Sequence, residues 1–188
     1  MLDKTYDKID FTDKPLNQGE YENCIFLNCN FSNLNLSNFI FIDCSFTGCN
    51  LSMCGFGETV FRDVQFKDCK MLGLHFENCN KFGLSFTFEH CILDHSSFYQ
   101  AKLKKISFKH CQLQEVDFTE ADLGGGIFDG CDLARASFDN TILEKTDFRT
   151  AFNYAIDPTI NKVRKARFAL TGLPGLLARF DIDIDMKA

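Results

Sequence analysis

Two His-Cys dipeptides, His90-Cys91 and His110-Cys111, and eight further cysteines are the residues of this chain best suited to chemistry. A thiol nucleophile needs its imidazole within hydrogen-bond reach. Neighbours in an extended segment point to opposite faces, so each His faces out where its Cys faces in and no catalytic pair forms. Zinc needs four convergent ligands, and the cysteines include no Cys-x-x-Cys pair with a matching His cluster. Disulfides fail on distance. Cys29, Cys49 and Cys69 recur every twenty residues, as do Cys91, Cys111 and Cys131. Stacked in adjacent strands they would lie about 4.8 Å apart, whereas the Cβ atoms of a bridge sit about 3.5–4.5 Å apart. Ten free, buried and unreactive thiols are expected. Gly124-Gly125-Gly126 lacks the residues of a phosphate loop, and neither a zincin motif nor a nucleophile elbow occurs. The chain is therefore read as a non-enzyme with no catalytic, cofactor-binding or metal-binding residue.

The element that positions the cysteines is a five-residue comb. Stepping by five from Phe11 to Phe86, fifteen of sixteen positions are large and apolar, with Lys81 the exception. A second run, displaced by two residues, goes from Leu93 to Phe148 and alternates Leu and Phe throughout. Neither the two-residue period of a strand nor the 3.6-residue period of a helix produces this, so a repeat architecture is required. All ten cysteines lie two residues before a comb position. That small residue and the comb residue are expected to point inward, and the Asn, Asp, Ser, Thr, Lys and Glu between them to face water. The skew to 22 Phe with no Trp fits one packing environment used repeatedly.

Units such as Asn30-Phe31, Asn50-Leu51, Asp117-Phe118, Ala121-Asp122-Leu123 and Ala136-Ser137-Phe138 resemble the pentapeptide repeat family over roughly residues 11 to 150. The resemblance implies an all-β fold, a right-handed quadrilateral β-helix with five residues per side and about twenty per coil. The twenty-residue cysteine spacing agrees, and the step of twenty-two between its two sets places a two-residue register shift between Cys79 and Cys91. The comb units make about seven coils, a rod of about 34 Å at the strand spacing. Each coil of such a stack leans on its neighbours, and each end needs a cap.

Residues 1–10 are expected to form the N-terminal cap, with Leu2, Tyr6 and Ile9 as its apolar points. In 151–188, Asp157-Pro158 reads as a helix start, followed by a stripe of Ile160, Val163, Ala166 and Leu170 ending at Gly172. Leu173-Pro174-Gly175 reads as a turn, and Ile182 and Ile184 as a brief half-buried strand. Such a C-terminal helical cap covers the open strand edges. In quinolone-resistance (Qnr-type) members a comparable element joins two rods, so the resemblance implies a homodimer through Leu173, Leu176, Leu177, Phe180, Ile182 and Ile184.

Charge bounds the partners. The net charge of -6 argues against direct nucleic-acid binding. No apolar run approaches the 18 or more residues of a membrane span, and the N-terminus lacks a secretory hydrophobic region, so a cytoplasmic protein is expected. Residues 111–147 hold nine carboxylates, Glu115, Asp117, Glu120, Asp122, Asp129, Asp132, Asp139, Glu144 and Asp147, against Arg135 and Lys145. Qnr-type proteins are thought to imitate duplex DNA when they bind gyrase or topoisomerase IV. The resemblance makes a type II topoisomerase the candidate protein partner and those carboxylates its contact surface. The magnitude is lower than a duplex would give: about twenty phosphate charges over 34 Å, against a net of minus seven over residues 11–150, from 12 basic and 19 acidic groups. The projecting loops of many Qnr-type members are also missing. The alternative is a scaffold or immunity-type protein that meets another partner through its flat outer faces. His90 and His110, twenty apart, are expected to stack on the outside; Lys102, Lys104, Lys105 and Lys109 read as a solvated basic cluster.

Overall fold

A computed structural model describes residues 1–185. Ten short strands follow in chain order: β1 Thr5–Asp7, β2 Glu20–Glu22, β3 Ile25–Leu27, β4 Ile40–Ile42, β5 Ser45–Thr47, β6 Val60–Arg62, β7 Val64–Lys67, β8 Phe86–Glu89, β9 Ser107–Lys109 and β10 Ile127–Asp129. They form two parallel sheets, β1-β3-β5-β7-β8-β9-β10 and β2-β4-β6. Isolated parallel bridges such as Asn30↔Asn50 and Ser97↔Asp117 complete the other two sides. The register is twenty residues up to Asn50↔Lys70 and twenty-two at Val64↔Phe86, Lys70↔Ile92 and His75↔Ser97; it returns to twenty from Thr87↔Ser107. Asn80 still donates to Thr59 O in the old register, so the two surplus residues lie within 81–84. There Gly83 is left-handed, and Phe82 projects into solvent at 82% exposure.

The comb residues fill the interior. Tyr6, Phe26, Phe46, Phe66, Phe88, Phe108, Phe128, Phe148 and Phe168 make one continuous ladder of near-parallel rings, with centroids 4.6–5.4 Å apart. Its eight steps extend about 38 Å at the strand spacing. Neighbouring columns meet it edge-on, as Phe98 meets Phe108 at 80°, the arrangement ring quadrupoles favour. Beside the rings run the small residues. All ten cysteines are free and buried. Eight of the thiols donate to carbonyls of the preceding coil, among them Cys49 Sγ to Phe26 O at 3.4 Å and Cys131 Sγ to Phe108 O at 3.5 Å. Thr59, Thr141 and Thr146 occupy the same position and donate to Leu36 O, Phe118 O and Leu123 O at 2.7–2.9 Å. The column thus admits a small residue that can also satisfy a buried carbonyl.

Corners need a backbone feature that the comb does not announce. The residue two after most comb positions is left-handed, from Asn28 (φ 52°) and Asp43 (φ 51°) to Lys105 (φ 62°) and Glu115 (φ 56°). An ordinary L-residue is disfavoured there by about 1–2 kcal/mol. Asn, Asp and Gly are tolerated best and fill many of these positions, including Asn23, Asn33, Asn38, Asp63, Asp68, Gly48 and Gly130.

The two ends close differently. Parallel pairing begins at the N-terminal segment: Tyr6 stacks on Phe26, and Leu2 bridges Glu22. At the other end the expected helix from Asp157 is not formed. Ile142↔Lys162 and Asp147↔Arg167 pair in parallel, so residues 161–168 make another part-coil, with Phe168 stacked on Phe148. Coiling wins because it satisfies the amides and carbonyls of 141–148, which a helix would leave open. Asp157 instead closes a turn, accepting from Thr159 N at 2.8 Å. The helix present is shorter and later, α1 Pro174–Leu177, flanked by single 3-10 turns at Leu170–Gly172 and Ala178–Phe180, where a turn at Leu173-Pro174-Gly175 was expected. It lies on Tyr154: Ile156 N donates to Gly175 O at 3.0 Å, and a methyl on Gly175 would meet the Tyr154 ring at 2.9 Å. Ile182 and Ile184 form no strand; they are 55% and 39% exposed. Residues 186–188 of the expected C-terminal element lie outside the described residues.

Candidate interaction surface

The left-handed corners and inward rings leave the remaining positions on four flat outer sides, and the nine carboxylates of 111–147 are distributed over all of them. Asp117, Glu120 and Asp139 share the side of the Ser97–Asp117–Ser137 bridges. Glu115 and Asp132 lie on the side of Gln112–Asp132, Asp122 and Glu144 on that of Lys102–Asp122–Ile142–Lys162, and Asp129 and Asp147 on that of Ile127–Asp147–Arg167.

Most of these groups are used within the chain. Asp117, Asp122, Asp132 and Asp147 accept the amide two residues on, from Thr119, Gly124, Ala134 and Arg149, at 2.8–3.1 Å. Such Asx turns shape the corner. Glu115 pairs with Arg135 and lies 3.1 Å from His95 Nδ1. Glu120 accepts from Gln100, and Asp129 from Thr150 Oγ1. The hydrogen bonds of Arg149, with Arg167 nearby, hold the Asp147 carboxyl below its ordinary range. The Asp139 and Glu144 side chains are exposed, and their carboxylates make no hydrogen bond or ion pair among the described residues. The Asp117 side is the most uniformly acidic: segments 96–100, 116–120 and 136–140 carry no Lys or Arg.

The opposite sign concentrates on the Lys102–Asp122–Ile142–Lys162 side. Lys102, Lys104, Lys105, Lys145, Lys162, Arg164 and Lys165 stand there against Asp122 and Glu144. Sequence reasoning found the first three lysines as a local cluster. It missed that two of the coils above add Lys145 and then Lys162, Arg164 and Lys165, because the stripe from Ile160 suits a helix over 161–165.

The reactive residues stay apart. Burial pushes the thiol of Cys44 up to about 11 and that of Cys54 to about 12. His90 and Cys91 point to opposite faces, the His exposed and the Cys buried. His90 and His110 stack outside, centroids 5.1 Å apart and 19° from parallel.

Of the proposed dimer residues, Leu173, Leu177, Phe180, Ile182 and Ile184 are exposed, while Leu176 packs against the core. Leu170, 81% exposed, joins the surface group. No helix among the described residues is long and apolar enough to cross a membrane.

A family model described as "Pentapeptide repeat region" matches residues 20–87 and 84–151. Among solved structures, a trypsin-treated form of QnrB1, described as a plasmid-mediated fluoroquinolone resistance protein, superposes with a TM-score of 0.60 at 17% identity, over 98% of this chain and 99% of that one. Full-length QnrB1 gives 0.52 at 17% identity, over 97% and 99%. HetL, a pentapeptide repeat protein involved in heterocyst differentiation regulation from Nostoc sp. strain PCC 7120, gives 0.61 at 13% identity, over 92% and 87%. At these identities the likeness is one of fold. No curated protein sequence matches the chain.

Proposed function

The chain belongs to the pentapeptide repeat family, and from that premise we propose that it is a non-enzymatic protein-interaction rod that acts as a homodimer. The observation that carries this reading is the solid ring ladder from Tyr6 to Phe168, which fills the interior and leaves recognition to the four outer sides. Exposed Leu173, Leu177 and Phe180, clustered at the C-terminal end, support pairing there.

The more specific form of the reading is binding to a type II topoisomerase as a DNA mimic, with the Asp117 side, continued by Glu120 and Asp139, as the surface presented. The shared fold with QnrB1 supports it. The test is gyrase supercoiling with and without a quinolone. The reading expects micromolar protein to alter supercoiling or relieve the drug; no effect on either removes it. A second reading is favoured by the internal use of Asp117, Asp122, Asp132 and Asp147 as corner acceptors: a scaffold or immunity-type protein with a different partner. Affinity capture followed by mapping of the bound side discriminates the two, since the second expects contacts on residues 20–80, where the exterior is rich in Asn and Ser.

A further inference from the structure

The basic side is grooved. A trough of about 410 Å³ runs along it, lined by Lys104, Lys105, Lys145 and Lys162 and by Ile142, Gly124 and Gly125, with Asp122 and Glu144 also in its wall. The two glycines add no side chains to the lining, and Ile142 is only half-buried. An occupant suited to it carries carboxylates for the lysines and branched aliphatic side chains for Ile142. The chain itself contains such a segment. Asp181-Ile182-Asp183-Ile184-Asp185 alternates acid and isoleucine, lies outside every helix and strand after a left-handed Asp181, and is exposed along its length. In an extended segment the acids point to one face and the isoleucines to the other. At the trough, the aspartates would incline to the lysines while the isoleucines cover Ile142.

We propose that residues 181–185 of one copy lie along the Lys104–Lys145–Lys162 trough of a second copy, so that the two rods exchange tails across their C-terminal junction. The proposal rests on the pairing of two copies at the C-terminal end. Reach permits it. The cations nearest the junction, Lys162, Arg164 and Lys165, sit on the last part-coil, and Lys104 and Lys105 three coil steps below. Those steps span about 14 Å, and five extended residues reach about 16 Å. Charge favours it too: seven cations against two carboxylates on this side, and Asp122 already lies 3.4 Å from Lys104 Nζ. A nucleic-acid strand fits less well. The trough offers no aromatic platform for bases.

The test mixes ¹⁵N-labelled and unlabelled full-length protein, applies a zero-length carbodiimide cross-linker and measures mass by sedimentation in parallel. Expected are dimers that weaken several-fold between low and high salt, and cross-links from Lys104, Lys145 or Lys162 to Asp181 or Asp183 joining labelled to unlabelled chains. Reversing the strip (Lys104→Glu, Lys145→Glu, Lys162→Glu) should remove those cross-links and weaken the dimer at least tenfold. Reversing the tail as well (Asp181→Lys, Asp183→Lys) should restore both. Dimers indifferent to both reversals overturn the tail exchange and leave the pairing intact. Cross-links confined within single chains overturn the exchange in favour of a self-covered trough. A monomer at all concentrations removes pairing and exchange together. Binding of DNA or of acidic phospholipid vesicles at the strip that persists in the tail-reversed protein, without tail cross-links, also overturns it.

Discussion

Truncating one ring in the middle of the ladder should destabilise the rod far more than removing the exposed ring at the register shift. Phe108 has no exposed surface; it lies between Phe88 at 5.1 Å and Phe128 at 5.0 Å, with Phe98 and Phe118 edge-on at 5.8 and 6.1 Å. Replacing a buried Phe by Ala in a packed core destabilises by about 3–5 kcal/mol. The upper half of that range is expected, because the flanking rings are held by their own coils and cannot close the gap. With a urea slope of about 2 kcal/mol/M, Phe108→Ala should lower the unfolding midpoint by roughly 2 M. Phe82→Ala, at 82% exposure, should stay within about 0.5 kcal/mol of the parent. Urea titration followed by far-ultraviolet circular dichroism reads both variants. A fall below about 1 kcal/mol for Phe108→Ala, or one for Phe82→Ala of equal size, would refute the claim that stacked interior rings hold the coils together. A broadened transition with a lower slope would mean instead that the array had divided at the lesion into separately melting halves.

Thr146→Val removes the bond to Leu123 O at constant shape and should lose about 1 kcal/mol, with Thr146→Cys intermediate because a thiol still reaches the carbonyl, both measured in the same titration. The raised thiols make stability fall in alkali. Native Cys44 and Cys54 stay protonated where the unfolded chain ionises, so their contribution is whole below the ordinary thiol value of 9.0 and is lost as pH rises towards about 11 for Cys44 and about 12 for Cys54; urea melts at pH 8 and pH 10.5 should show the decline, and Cys44→Ala should lessen it. Gly130 is left-handed, and a methyl there would overlap the His110 ring. Gly130→Ala should therefore destabilise by more than the roughly 1 kcal/mol expected of the backbone alone, and His110→Ala should recover the excess in a double-mutant cycle.

The architecture was legible because each coil repeats the same demand, a large residue and a small one facing inward every five, so the comb survives any single exception such as Lys81. The corners are less legible: Asn, Asp and Gly two residues after the comb position carry their signature, but the polarity of an outward-facing residue accounts for the same pattern. The last part-coil was missed for a related reason. Ile160, Val163, Ala166 and Leu170 suit a helix, yet Val163 and Phe168, preceded at two residues by Asn161 and Ala166, continue the comb, and sheet pairing with 141–148 decides between the two. The acidic segment was legible as composition only. That four of its nine groups hold corners together is set by an i to i+2 geometry that net charge does not express.

At 81–84 the chain accommodates two surplus residues while Phe66 and Phe88, on either side of the shift, remain 12° from parallel at 5.3 Å. One wall of the prism can therefore lengthen without passing a misfit to the next storey. A designer wishing to display a foreign loop, an epitope or a fluorescent reporter would graft it there, expecting the tower above and below to keep its alignment.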